Sequence, residues 1–563
     1  MLILVALTVR IVVNSGLFGH AGRAADKYSE AQTQEQSLGE GKIIINGVLY
    51  DSYDEFVNGK SSTLMACADE DVETAGFLGN TTILRANIEK VTIQKGVGEH
   101  KLEDENCWDV SEAQDGSILA WYTDEDSDTY YEVTIASENR IKANEDSEAL
   151  FAYIGYSVPD ETKIVGIENL DTSSVTSMRK MFYYCGYLSM TGLNLGDNFN
   201  TSNVTTMSRM FEKCGYTAMT TLNLGSNFDT SNVTNMGNMF EDCGYTAMTS
   251  LNLGNNFDTS SVTDMNCMFN NCGYTAMTSL NLGNKFNTSN VEYMDYMFDG
   301  CGYTAMTSLN LGDKFDTSNV KDMHFMFNSC GYTAMTSLDL GDKFNTSKVT
   351  RMDYMFDDCG YTAMTSLNLG SNFDTSSVTN MEGMFNDCGY TAMTSLNLGD
   401  KFNTSNVTNM AYMFQYCGYT AMTSLNLGDK FDTSNVTTMD AMFGNCGYRK
   451  MTSLDLGDKF DTNNVTDMSN MFRNCGYASM TSLNIGSKFK TSQIENIADV
   501  EDLFASCGKT SMTTFTYENT LTQFTTDCAN ILTVESGARL ITSSFNQCTQ
   551  VTCTDGNYTI TAG

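Results

Sequence analysis

Cysteine returns every 29 residues in this chain, at 185, 214, 243, 272, 301, 330, 359, 388, 417, 446 and 475, each time inside the pattern M-F-x-x-C-G-Y. Thiols in such a line could bind a soft metal, close a ladder of disulfides, or fill a core position that needs a small apolar group. A metal array needs a second cysteine or a histidine recurring at ligand spacing, and none recurs beside these. Bridges between successive units would meet the Cα range for a disulfide, but side chains pointing the same way give poor geometry. The expectation is eleven reduced, buried thiols. Cys548 and Cys553 are a separate case, close together in a polar C-terminal segment. There a bridge and two free thiols both stay open.

Other catalytic chemistry is sparse. The three histidines, His20, His100 and His324, stand in no metal-binding or triad spacing. Carboxylates are plentiful but fall on repeated positions, with no asymmetric pair. Neither an enzyme, a cofactor nor a metal is expected. The acidic run DEDSD at 124–128 lacks the glycine at position six and the glutamate at position twelve of a calcium loop, so it reads as a hairpin turn. Sequons such as those at Asn203 and Asn232 read as turn chemistry.

One set of residues breaks the regularity. The second variable position of M-x-x-M holds Tyr296, Phe325 and Tyr354 in three consecutive units, where others hold Asn238, Gly383, Ala441 or Asn470. The first variable position holds Asp295, His324 and Asp353. Repeats stacked at roughly 5 Å place the rings one above another, a platform for sugars or protein side chains. A histidine between two acids should hold its proton more tightly, and binding should then strengthen as pH falls. The competing reading is chance, with three rings merely covering the back of a sheet.

These residues need a scaffold, and residues 166–495 supply one. In the unit 228–256, Leu251 and Leu253 alternate with Ser250 and Asn252, the pattern of a short strand with one buried face. Asp229, Thr230 and Ser231 are turn and cap residues. Val233, Met236, Met239, Phe240 and Cys243 then form one apolar stripe at near-helical spacing. Gly244 stands where a helix would end, and Tyr245 folds back on the last turn. One unit cannot bury its own apolar face, but stacked neighbours can. The expected fold is an α/β solenoid, leucine-rich-repeat-like, with one short parallel strand per 29-residue rung and about eleven to twelve rungs. At about 4.8 Å per rung its body is roughly 50 Å long. Residues 36–165 read as a small β-rich leader and N-terminal cap. Residues 496–563 read as a degenerate last rung, with Cys507, and a C-terminal cap. Residues 1–35 read as a long helix, apolar at its start, either an export or anchoring segment or an ordinary amphipathic helix.

The net charge is −37, from 32 basic and 69 acidic residues. That excludes a nucleic-acid backbone as partner, because phosphate contacts need concentrated Lys and Arg. Its plainest meaning is solubility through self-repulsion.

Units such as FDTSNVTNMGNMFEDCGYTAMTSLNLG resemble the repeats of BspA-like leucine-rich-repeat surface proteins, also called mycoplasma lipoprotein-associated repeats. The segment NCWDVSEAQDGSILAWYTDEDSDTYYEVTIASENRIKAN is similar to the leader before such repeats, and residues 1–35 resemble pilin-like N-terminal helices of surface proteins. The resemblance implies a non-catalytic bacterial cell-surface or secreted protein with a role in adhesion or recognition, the partner being a host or neighbouring-cell protein or glycan; the chain is expected to be a monomer. The N-terminal helix would attach it to the envelope. It also implies a single helical turn at M-F-x-x-C. The alternative is a passive spacer, or a regular Thr/Ser/Asn array that organises water or ice. A spacer wants identical outward residues, whereas a recognition site wants a local break.

Overall fold

The computed structural model describes residues 60–67 and 74–486, then 488, 489, 499 and 502–511, with the backbone of five short strands at 43–45, 48–50, 514–516, 550–554 and 557–561. The expected helix at 1–35 and the side chains of Cys548 and Cys553 lie outside the described residues.

The leader is built from strands. Ile43–Ile45 (β1) and Val48–Tyr50 (β2) pair antiparallel. Ser61–Thr63 (β3) is followed by Ile88–Lys95 (β4), Cys107–Asp109 (β5), Leu119–Thr123 (β6), Tyr131–Ser137 (β7), Arg140–Lys142 (β8), Lys163–Val165 (β9) and Leu170–Asp171 (β10). A five-stranded sheet runs β5-β6-β7-β4-β9, and a three-stranded one runs β10-β8-β3. The run DEDSD forms the turn between antiparallel β6 and β7. Arg85, fully buried, donates from one guanidinium nitrogen to the carbonyls of Ala149, Leu150 and Ala152. It thereby satisfies acceptors at the end of the coil that no rung is there to meet.

The repeat folds as a coil of 29-residue turns, all but one with a three-residue strand. The strands run from Gly192–Asn194 through Ser250–Asn252 to Ser482–Asn484, and the pairs that form are parallel, with Leu251 opposite Leu280 and Leu454 opposite Leu483. Ser250 and Asn252 are exposed while Leu251 and Leu253 are buried, as the alternation predicts. The strands do not merge into one sheet. Those from Gly192–Asn194 to Ser424–Asn426 pair in twos, residues 308–310 form no strand, and Ser453–Asp455 and Ser482–Asn484 join Thr514–Thr516 and the last two strands in a five-stranded sheet.

The other half of the turn corrects the α part of the expected fold. Among the described residues there is no α-helix, only 3-10 turns at Phe77–Gly79, Arg85–Asn87 and Ile167–Asn169. Where near-helical spacing and the resemblance both predicted a helical turn, the chain makes consecutive β-turns. Asn238 and Asp242 are left-handed, with φ of 59° and 54°, which interrupts the i→i−4 ladder. The amides of Met239, Glu241 and Cys243 bond three residues back. Those of Met236, Asn238, Phe240 and Asp242 reach carbonyls of the next rung at 2.8–3.0 Å. Four of these seven backbone bonds therefore join rungs.

The stripe is buried nonetheless: Val233, Met236, Met239, Phe240 and Cys243 are fully covered, like Leu251, Leu253 and Phe257 to within 3 %. All eleven repeat cysteines are buried and free. Each repeat also buries a threonine whose hydroxyl is satisfied by the next rung, as Thr230 Oγ1 donates to the Asp258 carbonyl at 2.8 Å. Outside, the Asn232 side chain donates to the Ser202 carbonyl of the preceding rung at 2.7 Å.

The coil extends past the sequence repeat at both ends. Phe151 stacks on Phe182 at 5.4 Å, and a bridge joins Asp146 to Ser177. A turn of the same form thus precedes position 166. At the far end Phe504 stacks on Phe472 at 5.1 Å, and Gly508 donates to the Cys475 carbonyl.

Ring spacings give the coil's curvature. Equivalent parallel rings lie 4.3–4.7 Å apart in the Tyr187-to-Tyr477 column. They lie about 5.5 Å apart in the Phe240 column and 6.1–6.5 Å apart in the Phe257 column. Rungs are closest on the turn face and widest at the phenylalanine corner beyond the strand. That spread accounts for a strand ladder broken into pairs, and it makes the tyrosine side the concave one.

Candidate functional site

The turn face carries the variable residues because alternate turn positions must point outward. The second variable residue of M-x-x-M and of F-x-x-C is left-handed in nearly every rung, which tilts its side chain away from the buried Met, Phe and Cys.

Tyr296, Phe325 and Tyr354 meet on this face. Their centroids are 4.8 and 4.9 Å apart, with planes 3° and 14° from parallel, and each ring is half-buried. The faces are spent on one another, so a partner meets ring edges and phenol hydroxyls. The stack ends on Gly383: a Cβ there would lie 2.3 Å from Tyr354 Cε1. The Tyr354 hydroxyl donates to Glu382 Oε1 at 2.9 Å. Burial and that acceptor hold the Tyr354 phenol above its ordinary pKa.

The polar residues pair differently from the sequence expectation. His324 Nδ1 lies 2.6 Å from Asp322 Oδ1, and its ring meets Tyr296 edge-on at 4.9 Å. Burial favours a neutral Asp322, but bonds from His324 and the charge of Arg351 bring its pKa below the usual range. Asp353, 6 % exposed, is held by Arg351 through contacts of 3.2 and 3.0 Å. Asp295 is half-buried, and burial raises its carboxyl against the pull of His324. Asp322, Arg351 and Glu382 are the site residues that sequence reasoning did not name. The lone arginine in a column that otherwise holds Ser, Thr, Asn, Asp and one Tyr was their available signal.

Two further columns flank the patch. The Gly-Tyr tyrosines form an unbroken stack of eleven half-buried rings, read from sequence only as the residue that folds back on each turn. Identity in every repeat fits an outward stack as well as a core. Between the tyrosines and the patch run the variable residues of F-x-x-C. Burial, with acidic neighbours adding to it, pushes Glu212, Asp299, Asp357 and Asp387 up to about 7 and Asp242 to about 6.

Among the described residues, three carboxylates come within chelating distance of one another in two places: Asp124, Asp126 and Asp128 at the hairpin turn, and Asp357, Asp358 and Asp387 on the turn face. No helix of the described residues is long and apolar enough to cross a membrane.

The family described as Mycoplasma protein of unknown function, DUF285, matches six overlapping stretches, residues 155–272, 215–333, 244–363, 299–417, 331–450 and 389–517. Together they cover more than half of the 563 residues. No curated protein and no solved structure matches the chain.

Proposed function

The chain belongs to the DUF285 family of Mycoplasma proteins of unknown function, and we propose that it is a non-catalytic recognition protein whose partner docks on the concave turn face around Tyr296, Phe325 and Tyr354. The observation that carries this reading is the local break in the repeat. Three half-buried rings stack in consecutive rungs, with His324, Asp322, Arg351 and Asp353 ordered beside them. Half-exposed aromatic surface with positioned charged residues is the make-up of interface centres, and concave solenoid faces are where repeat proteins bind.

The finer reading follows the resemblance to BspA-like repeats: a monomer at the cell surface or secreted, adhering to a host or neighbouring-cell protein or glycan, attached through its N-terminal segment. The rival reading, an even lattice of Thr, Ser and Asn that orders water or ice, draws on the strand face. It is disfavoured by a strand ladder that is interrupted between successive pairs and at residues 308–310. Glycan arrays and surface-protein arrays probed with the purified chain are the test. Saturable binding to one partner class supports recognition. Silence on every array, together with altered ice growth, would favour the lattice.

A further inference from the structure

The repeat loses its uniformity in adjacent columns of the same rungs. The column after the buried valine holds threonine in nine of eleven rungs from Thr176 to Thr466. These threonines tie rung to rung, as Thr234 Oγ1 donates to the Thr205 carbonyl at 3.2 Å. The two exceptions are Glu292 and Lys321, which pair with each other at 2.6 Å. Along the chain, Tyr293 stands between that pair and the stack of Tyr296, Phe325 and Tyr354, in a column whose other residues are polar.

Tyr293 is 45 % exposed, and no other aromatic side chain among the described residues is so open. No ring among them stacks on it. Its face is therefore free, unlike those of Tyr296, Phe325 and Tyr354, which cover one another. Two residues on, past the buried Met294, Asp295 is half-buried on the same outer side, about 6–7 Å along the chain. No side chain among the described residues hydrogen-bonds its carboxylate. A half-buried acceptor left open in this way calls for a donor. In the next rung His324 spends Nδ1 on Asp322 at 2.6 Å, and Nε2 has no partner among the described residues. The cations nearby are already engaged, Lys321 by Glu292 and Arg351 by Asp353 at 3.0 Å.

We propose that Tyr293 and Asp295 form a subsite for a neutral hexopyranose, with the C–H face of the sugar on the free face of Tyr293 and its rim hydroxyls donating to Asp295. This rests on the recognition reading and names the chemical class that the partner carries. The face of an aromatic ring is the negative side of its quadrupole and attracts the polarised C–H groups of a sugar. A few placed polar groups beside such a ring fix the orientation of a small ligand. A peptide side chain fits less well. The other exposed large apolar side chains among the described residues are Leu84, Leu102, Val165 and Leu188, all outside these rungs. No contiguous exposed apolar patch therefore extends from the ring for a protein to cover. An acidic sugar meets repulsion from Asp295 and finds Lys321 and Arg351 already paired.

The test is saturation-transfer NMR of the full chain with lactose, maltotriose, N,N′-diacetylchitobiose and mannobiose as neutral probes and trigalacturonate as the acidic one. Each sugar that responds is then titrated. The variants are Tyr293→Asn, Tyr293→Phe and Asp295→Asn. Asparagine stands at the equivalent positions Asn235 and Asn266, so folding is preserved. The expected result is transfer to the ring C–H protons of at least one neutral probe. Affinity for it should fall by about fivefold or more in Tyr293→Asn and stay within about twofold in Tyr293→Phe, which keeps the ring. It should fall by about threefold or more in Asp295→Asn, which loses the charge-assisted bond. Silence from every neutral probe would overturn the inference. So would undiminished binding by Tyr293→Asn, or a stronger response to trigalacturonate. If no neutral probe binds, and Tyr293→Asn keeps an array partner that Tyr296→Asn/Phe325→Asn/Tyr354→Asn loses, this inference falls and the recognition reading stands. If no neutral probe binds and neither variant affects that partner, both fall.

Discussion

Replacing Gly383 by alanine separates the consecutive-turn architecture from a helical one by the sign of its effect. In a helical turn, Gly→Ala stabilises by about 1 kcal/mol. Here Gly383 has φ of 58°, where an L side chain costs about 1–2 kcal/mol. A smaller entropic gain of about 0.4–1 kcal/mol from stiffening the unfolded chain offsets part of this. The new Cβ also falls 2.3 and 2.4 Å from Tyr354 Cε1 and Cδ1, too close for the ring to stay. Displacing it loses a stacked contact with Phe325, about 0.5–1.5 kcal/mol, and its hydrogen bond to Glu382, about 0.5–1.5 kcal/mol. The net expectation is destabilisation of about 3 kcal/mol, with the coil intact, since Ala441 occupies the equivalent position two rungs on with φ of 48°. Urea denaturation followed by circular dichroism gives the midpoint, and near-ultraviolet dichroism reports the tyrosine stack. A lower midpoint with an altered aromatic signal is expected. A neutral or stabilising Gly383→Ala would refute the left-handed turn and the ring seated on it.

Three other outcomes follow from the same packing. The eleven repeat thiols, with burial raising the pKa of most of them, such as Cys359 to about 12, should label slowly in native protein and fully in denaturant; rapid native labelling or mass-mapped bridges between rungs would contradict this. Thr317→Val should cost about 1–2 kcal/mol in a urea titration, because it leaves the Asn345 carbonyl without its buried donor; no change would mean that the threonine column is solvated. Glu212, Asp299, Asp357 and Asp387 are pushed up to about 7 in the fold against about 4 unfolded, so their protonated forms are favoured on folding. That stabilisation is complete below about pH 4 and lost as pH rises through about 7. The urea midpoint should therefore rise from pH 8 to pH 5, and the rise should shrink in Asp357→Asn/Asp358→Asn/Asp387→Asn; a midpoint that falls over this range would refute the burial of these carboxylates.

Much of this molecule is legible in its repeats. The constancy of Leu251, Phe257, Met236, Met239, Phe240 and Cys243 from unit to unit marks the inside, and the free variation between them marks the outside. The helical turn was misread because steps of three and four residues along an apolar stripe arise equally from consecutive β-turns, and only the left-handed residues at the second variable positions tell the two apart. Asn238 and Gly383 hint at them, but Tyr296 and Phe325 do not. Ring stacking was legible from the 29-residue spacing, while the use of the ring faces by one another was not. The partner of His324 was missed for a geometric reason: reading along one column suggested Asp295 and Asp353, whereas the turn brings Asp322, two residues away, onto the imidazole. The cluster of Asp357, Asp358 and Asp387 was missed because its residues lie in two adjacent columns, each of which looks freely variable.

Recognition on the turn face comes down to the affinity of the strongest array partner for wild-type protein and for Tyr296→Asn/Phe325→Asn/Tyr354→Asn, measured side by side on samples of matched urea midpoint. Asparagine fills the same position at Asn238 and Asn470, so the variant should fold. The expected result is a loss of affinity of about tenfold or more, as for the centre of an interface. A variant that folds and binds as tightly as wild type would show that the stacked rings are not where the partner docks.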